Sequence, residues 1–176
     1  AALSTSQVKA LSTAVLQVLT SLQLTGLTTL NASVLSSTQL GALNSVQVRS
    51  LSTDIVAGLT TVQIGGFATR ALSGLTVGQI GVLTSQQVAS FGAVQIGVFS
   101  TVQVGSFNTV VMAGLTPAQV NAFSSAQVAG LTPSQVSVLT SDQLAGLSTV
   151  GIRGFSGAQI GALSTQTVLG LTPVSY

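Results

Sequence analysis

The stretch LTPAQV, residues 115–120, carries residue types that begin helices, in the order in which helices use them. Thr116 is a good N-cap residue, because its hydroxyl oxygen can accept a hydrogen bond from a free backbone N–H of the first turn. Pro117 suits the first helical position, where a missing N–H costs no hydrogen bond. Gln119 can reach back to the N-cap N–H and complete a capping box. These six residues therefore predict a helix that starts at Pro117.

This helix start belongs to an eight-residue repeat that runs through the chain without insertion. It recurs as LTPSQV at 131–136 and as LTPVSY at 171–176, and the register gives 21 complete octads from residue 3 to residue 170. The consensus is L-[ST]-[ST]-x-Q-[VIL]-x-[GAVS]. Position one is always Leu or Phe, position six is almost always a large apolar residue, and position five is Gln in 14 octads. We therefore expect one octapeptide-repeat array over residues 1–176.

Each octad contains a complete helix start and a helix stop. Position two is the N-cap, position three is N1 and position five is N3, while positions one and six form a hydrophobic staple. Position eight, which is often Gly, suits the left-handed residue that ends many helices. The pattern predicts one helix of about one and a half turns per octad. The candidate capping residues are Ser4, Gln7, Thr60, Gln63, Thr116, Pro117, Gln119, Thr132, Pro133 and Gln135.

A helix of this length is not stable alone, because helix nucleation is unfavourable. It requires neighbours that bury positions one and six, which is how a solenoid stabilises its repeats. The fold class that we predict is therefore an all-α solenoid, and the pattern leaves open how many octads make one turn. The candidate core residues are Leu3, Val8, Leu59, Ile64, Phe67, Phe91, Ile96, Phe99, Val104, Phe107, Leu115, Val120, Phe123, Val128, Phe155 and Ile160.

A β-solenoid is the alternative fold, because Val, Ile and Thr are abundant. In LTTVQIGG, residues 59–66, Val62 and Ile64 could face inward before a Gly-Gly corner. However, position four also holds charged residues such as Asp54 and Arg70, so it is not a dependable core position. Proline at position three, as in Pro117, also has no role in a central strand.

The composition disfavours most kinds of chemistry. Only 3% of the residues are charged, and His and Cys are absent, so we expect no catalytic residues, no cofactor and no metal site. The bases lie too far apart for nucleic-acid binding, and no apolar run is long enough to span a membrane. The charges fall at positions four and seven, which we therefore expect to face solvent: Asp54, Arg70, Asp142, Lys9, Arg49 and Arg153.

Some octads depart from the consensus. The octad FATRALSG, residues 67–74, has Ala68 in place of an N-cap residue and Ala71 in place of Gln. We interpret this as drift in a redundant array, since one cap contributes only about 1 kcal/mol. The phenylalanines at 91, 99 and 107 occupy position one, which favours a place in the core over a ligand groove.

Two resemblances bear on function. The hexapeptides LTPAQV and LTPSQV resemble the opening of the transcription-activator-like effector repeat, but the base-reading loop, the longer period and the basic residues of that family are missing. The whole chain resembles the tandem LTxxQVxxL arrays of large bacterial surface and secreted proteins, which are often called adhesin-like. This second resemblance implies an extracellular structural role at the bacterial surface and supplies no site residues.

The two ends of the sequence fit the same register. Ala1 and Ala2 occupy positions seven and eight, and Tyr176 occupies position six, so LTPVSY followed by AA would complete one octad. Two explanations fit this register: the sequence is a slice of a longer array, or copies stack head to tail through a candidate end-to-end junction that consists of Ala1, Ala2, Leu171, Pro173 and Tyr176.

These observations predict a structural protein that is not an enzyme. We expect a subunit or segment of an extracellular filament, sheath or adhesin stalk, whose partner is the protein itself rather than a nucleic acid or a small-molecule substrate. A first alternative is an ice- or crystal-binding surface built from threonine rows such as Thr28-Thr29 and Thr60-Thr61. A second alternative is a repeat scaffold that binds other proteins.

Overall fold

The computed structural model describes residues 3–164 and Thr167, and within these residues it contains twenty short α-helices and no β-strand. The predicted all-α solenoid is confirmed, and the β-solenoid alternative is wrong. The local hydrogen-bonding groups of each octad outweigh the β-propensity of its Val, Ile and Thr residues. Most of the helices have five residues, which is close to the predicted length.

The chain forms two compact units, the first up to Phe91 and the second from Gly92. That residues 1–176 form one array stays a prediction. The first contains α1 Thr5–Lys9, α2 Thr13–Val18, α3 Ser21–Thr25, α4 Thr29–Ser33, α5 Ser37–Gly41, α6 Ser45–Arg49, α7 Thr53–Gly58, α8 Thr61–Gly65, α9 Thr69–Leu72, α10 Val77–Gly81 and α11 Ser85–Ala89. The second contains α12 Ala93–Gly97, α13 Thr101–Gly105, α14 Thr109–Gly114, α15 Pro117–Asn121, α16 Ser125–Ala129, α17 Pro133–Ser137, α18 Ser141–Gly146, α19 Thr149–Ile152 and α20 Gly157–Gly161.

The helix starts use the residues that the octad provides. In α15, Pro117 is the first helical residue, the Thr116 hydroxyl accepts the Gln119 N–H at 3.2 Å, and the Thr116 N–H donates to Gln119 Oε1 at 2.9 Å. The same box forms at Ser4 and Gln7, at Thr60 and Gln63, and at Thr132 with Pro133 and Gln135. Ala68 and Gly92 are the N-cap positions of the described helices that offer no side-chain acceptor.

Each corner turns at position eight without a left-handed residue. Gly26 has φ −80° and ψ −4°, and Gly66 has φ −74° and ψ −13°. Ser50 adopts the same conformation, with φ −81° and ψ −10°, and no described residue has a positive φ. The prediction of a left-handed glycine at position eight is therefore wrong. A right-handed residue followed by extended residues is enough to start the next helix, so the corner itself does not require glycine.

Within each unit, octads pack against those that lie three octads further along the chain. In the first unit α1 contacts α4, α2 contacts α5 and α5 contacts α8, and in the second unit α12 contacts α15 and α15 contacts α18. One turn of the coil therefore takes three octads, or 24 residues. This answers the question of octads per turn that the sequence pattern left open.

The two apolar positions of an octad face neighbouring coils on opposite sides. Position six is buried by the octads that follow, because Val8 is 0% exposed although it belongs to the first octad. Position one is buried by the octads that come before, because Leu3 is 44% exposed whereas Leu35 is 4% exposed. The coil therefore has a direction.

The structure buries most of the candidate core residues and leaves three of them uncovered. The buried ones are Val8, Leu59, Ile64, Phe67, Phe91, Ile96, Phe99, Val104, Phe107, Leu115, Val120, Phe123 and Val128. The expectation of a core position is wrong for Leu3 and for Ile160, which is 55% exposed, and Phe155 is half-buried. Burial at these positions depends on a neighbouring coil as well as on the residue type, since the position-one residue Leu35 and the position-six residue Ile64 are buried.

Candidate functional site

The most specific contact of this fold joins successive coils through the glutamine at position five. In α8, Gln63 Oε1 accepts the Thr60 N–H at 2.9 Å. The Nε2 group of the same side chain donates to carbonyl oxygens of the preceding coil, at 3.1 Å to Ala32 and at 2.8 Å to Leu35. One side chain thus caps its own helix and holds the coil before it. We call the second set of hydrogen bonds a glutamine bridge.

Glutamine bridges recur with one displacement in sequence. Each runs from Nε2 to the carbonyl oxygens 31 and 28 residues earlier, which are position six and the next position one of the preceding coil. In the first unit the bridges start at Gln39, Gln47, Gln63, Gln79 and Gln87. In the second unit they start at Gln127, Gln135, Gln143 and Gln159.

A side chain that forms both the cap and the bridge must be an amide. The side chain must accept one N–H at its oxygen and donate at its nitrogen, and carboxylates cannot donate. The bridging glutamines are buried, and no buried side-chain nitrogen or oxygen of the described residues lacks a hydrogen-bond partner. A carboxylate here would be a buried charge that faces carbonyl oxygens, which is costly.

Sequence reasoning assigned these glutamines to capping alone and missed the bridge. A capping box accepts Glu as readily as Gln. Yet both acids of this chain are Asp, at 54 and 142, and Glu does not occur. The exclusive use of Gln was therefore the signal that the side chain must also donate a hydrogen bond.

Octads without Gln show whether the residue at position five still caps its helix or still bonds to the preceding coil. Asn31 donates from Nδ2 to the Leu3 carbonyl oxygen at 3.0 Å but forms no capping box, because its side chain is one carbon shorter. Thr167 donates to the Leu139 carbonyl oxygen at 3.4 Å. Ile55 and Val111 are buried apolar residues that fill the place of the side chain.

In two octads a small residue at position five accompanies a close backbone approach at position eight. Ala71 and Gly151 replace Gln, and both helices have only four residues. A Cβ atom on Gly74 would overlap the carbonyl oxygen of Ser45 in the preceding coil, and one on Gly154 would overlap that of Ser125. In these two octads a small residue takes the place of the glutamine, the coils approach closely, and glycine at position eight makes room. The octad 67–74 is thus a variant of the repeat in which close packing of two coils accompanies the loss of the glutamine.

The first described coil contains two capping glutamines that form no glutamine bridge. Gln7 and Gln23 cap their helices at 2.8 Å, but both are exposed and neither forms a glutamine bridge. Gln23 lines a largely apolar cavity of about 410 Å³. Its lining includes the position-one residues Leu3, Leu11, Leu19 and Leu27. The three leucines at 11, 19 and 27 are half-buried.

The phenylalanines at 91, 99 and 107 belong to the core, as expected from their place at position one. Phe91 is 2% exposed, and Phe99 and Phe107 are each 3% exposed. The rings of Phe99 and Phe107 meet edge to face, with centroids 5.7 Å apart and planes at 83°. Such a pair stabilises packing by about 0.5–1.5 kcal/mol.

The charged residues lie on the outside of the coils. The six charged residues of the chain are exposed, at positions four and seven as expected: Lys9, Arg49, Asp54, Arg70, Asp142 and Arg153. The described residues contain no group of three or more His, Cys, Asp or Glu side chains that could hold a metal ion. None of the helices in the described part of the chain is long and apolar enough to cross a membrane.

The candidate junction residues Ala1, Ala2, Leu171, Pro173 and Tyr176 lie outside the described residues, so the junction remains a sequence-based expectation. The structure places all ten candidate capping residues at the helix starts predicted for them.

Comparison with known proteins supports the repeat rather than any activity. No curated protein and no solved structure matches the chain. The family model described as ALTTAQ repeat matches residues 32–69, 112–141 and 136–173, which together cover more than half of the 176 residues. Each match spans several of the octads that the coils are built from. The chain therefore belongs to the ALTTAQ repeat family.

Proposed function

We propose that this chain is a structural protein, a subunit or segment of an extracellular filament, sheath or adhesin stalk, without catalytic activity. The observation that carries the proposal is the recurring inter-coil interface. In both units it consists of an apolar position six, an apolar position one of the next coil and, in most octads, a glutamine bridge such as that from Gln135 to Phe107. An interface that repeats in one direction can extend an array by any number of coils.

This architecture suits a passive elongated element. In a solenoid, stability is approximately a sum of repeat and nearest-neighbour terms, so a long array gains interfaces in proportion to its length. The chain has only 3% charged residues and a net charge of +2, so electrostatic repulsion between copies is weak. Both properties favour association through the ends or the sides of the coils.

The cell-surface location forms part of the proposal and rests on the resemblance to tandem LTxxQVxxL arrays of secreted proteins. Antibodies raised against the purified chain provide a test on intact cells of its source organism. We expect them to label the surface or shed filaments without permeabilisation. Labelling restricted to permeabilised cells would contradict the location and leave the filament proposal standing.

Electron microscopy of the purified chain tests the filament proposal. We expect negative-stain images of concentrated protein to show elongated assemblies longer than one chain, whose number rises with protein concentration. The same samples should give a helical far-UV circular dichroism spectrum, which controls for aggregation of unfolded protein. A monodisperse, folded monomer at every concentration would contradict the proposal.

The ice- or crystal-binding alternative depends on free hydroxyl rows. The Thr28 hydroxyl accepts the Asn31 N–H at 3.1 Å, and the Thr60 hydroxyl accepts the Gln63 N–H at 3.2 Å. These hydroxyls are therefore already used in capping. We expect the filament protein to show no thermal hysteresis, and measurable hysteresis would favour the alternative.

A further inference from the structure

Three glutamine bridges of the first unit start at Gln39, Gln63 and Gln87, and they follow one another on the same side of successive coils. We propose that these bridges and the peptide groups between them form one continuous series of amide hydrogen bonds, which we call the amide ladder. The ladder couples four stacked octads, so that a change at one end alters the hydrogen bonds at the other. This coupling is a property of the coils themselves and does not depend on the formation of filaments.

The peptide group between position one and position two joins one bridge to the next. Gln63 Nε2 donates to the Leu35 carbonyl oxygen at 2.8 Å, and the N–H of that same peptide group, which belongs to Ser36, donates to Gln39 Oε1 at 2.8 Å. Gln39 Nε2 then donates to the Leu11 carbonyl oxygen at 2.8 Å. Side-chain amides and peptide groups therefore alternate in one hydrogen-bonded series.

The other link of the amide ladder has the same geometry. Gln87 Nε2 donates to the Leu59 carbonyl oxygen at 2.8 Å, and the Thr60 N–H of the same peptide group donates to Gln63 Oε1 at 2.9 Å. The Thr84 N–H donates to Gln87 Oε1 at 2.8 Å and begins the series. Six hydrogen bonds thus run in series, and every donor points in the same sense along it.

The residue types at position five limit the length of the ladder. Val15 occupies this position 24 residues before Gln39, and Val111 occupies it 24 residues after Gln87. Neither valine has an amide that could continue the series. The extent of the ladder is therefore set by residues inside the array.

Burial makes the hydrogen bonds of the ladder respond to one another. Gln39, Gln63 and Gln87 are 7%, 6% and 4% exposed. In such a low-dielectric interior, hydrogen bonds that are arranged head to tail polarise each other, and each strengthens its neighbours by about 10–30%. An amide passes this polarisation on because it accepts at its oxygen and donates at its nitrogen. An aliphatic side chain at position five would interrupt it.

Substitution by isoleucine in the 1–176 chain tests the coupling, since the buried Ile55 shows that the coil accommodates this residue at position five. We expect Gln87→Ile to move the amide proton resonance of Ser36 upfield in NMR spectra, because the loss of polarisation weakens the hydrogen bond from Ser36 to Gln39. The matched control is Gln79→Ile in the neighbouring octad. Its bridge is not continued into an earlier one, because Ile55 occupies the next position five. The control should leave the Ser36 resonance where it is.

A third substitution separates hydrogen bonding from packing. Gln63→Ile removes the middle amide while the coils stay stacked, so adding Gln87→Ile to this variant should cause no further change at Ser36. A further change of the same size would mean that packing carries the effect, and it would overturn the inference. An unchanged Ser36 resonance in Gln87→Ile, or an equal change in Gln79→Ile, would also overturn it.

Circular dichroism verifies that each variant keeps its helical spectrum. If Gln87→Ile does not fold, Gln39→Ile provides the same test from the other end of the ladder. Its readout is the amide proton of Thr84, which donates to Gln87. We expect that resonance to move upfield as well, and an unchanged position would contradict the coupling.

Discussion

Gln79 and Leu51 are 28 residues apart in sequence, and the Nε2 atom of Gln79 lies 2.7 Å from the Leu51 carbonyl oxygen. The same nitrogen lies 2.9 Å from the Val48 carbonyl oxygen, while Oε1 accepts the Thr76 N–H at 2.8 Å. The side chain is 1% exposed, so these hydrogen bonds form away from water. Because of these buried hydrogen bonds, we expect loss of the Gln79 amide to destabilise the fold.

The first prediction concerns Gln79→Glu. A carboxylate can still accept the Thr76 N–H, but it cannot donate to the carbonyl oxygens of Val48 and Leu51. We expect a loss of about 2–3 kcal/mol in the free energy of unfolding, because a buried charge would face two acceptors. Urea unfolding followed by far-UV circular dichroism measures the loss.

Gln7→Glu is the matched control, because Gln7 forms the same capping box on an exposed helix without a bridge. Its effect should stay within about 0.5 kcal/mol. The new carboxyl at position 79 should have a raised pKa, since burial and facing oxygens disfavour its charged form. Near this pKa the folded Gln79→Glu variant binds more protons than its unfolded form. The loss in its free energy of unfolding should therefore shrink as the pH falls. Equal losses in the two variants would contradict the role of the bridge.

The second prediction uses two glycines at position eight. Gly74→Ala should destabilise the protein by about 2–3 kcal/mol, because the added Cβ overlaps the Ser45 carbonyl oxygen of the preceding coil. Gly58→Ala should instead stabilise it by about 0.5–1 kcal/mol, because nothing lies within 4 Å of a Cβ there. Thermal unfolding of both variants measures the two changes in stability as shifts in Tm. Shifts of the same sign would show that close approach of the coils does not select glycine.

The third prediction restores a missing cap. Gly92 has φ −68° and ψ 159°, which any residue can adopt, and its N–H already donates to Gln95 Oε1 at 2.7 Å. Gly92→Ser adds the hydroxyl that caps the neighbouring helices and restricts the unfolded chain, so we expect a gain of about 0.5–1 kcal/mol. Gly92→Ala lacks the hydroxyl and should gain less in the same unfolding experiment. A gain from Ala equal to that from Ser would contradict a capping contribution.

The fourth prediction tests the direction of the coil. Ile64 and Ile160 both occupy position six, but Ile64 is 0% exposed and Ile160 is 55% exposed. Ile64→Ala should cost about 2–5 kcal/mol, because it leaves a cavity beneath the next coil. Ile160→Ala should cost less than about 1 kcal/mol in the monomer. Unfolding measured at low protein concentration compares the two variants, and similar costs would contradict the burial of position six by following octads.

The register of each helix could be predicted from the sequence because it depends on groups three or four residues apart. The hydroxyl of Thr116, the ring of Pro117 and the amide of Gln119 act within a single turn, so their order alone specifies where α15 begins. The identity of the core followed from the same register, since positions one and six flank every helix start. The errors at Leu3 and Ile160 arose because burial depends on a neighbouring coil as well as on the octad.

The tertiary structure alone decided how many octads make one turn, why position five is so often Gln and which octads need glycine at position eight. These features depend on contacts between coils, such as that of Gln79 with Leu51 or of Gly74 with Ser45. One partner in each contact is a backbone carbonyl oxygen, which every residue possesses, so the partner leaves no mark in the sequence. The sequence by itself determined the helix start that each octad repeats. The stacking of three octads per turn determined what that repeated glutamine binds.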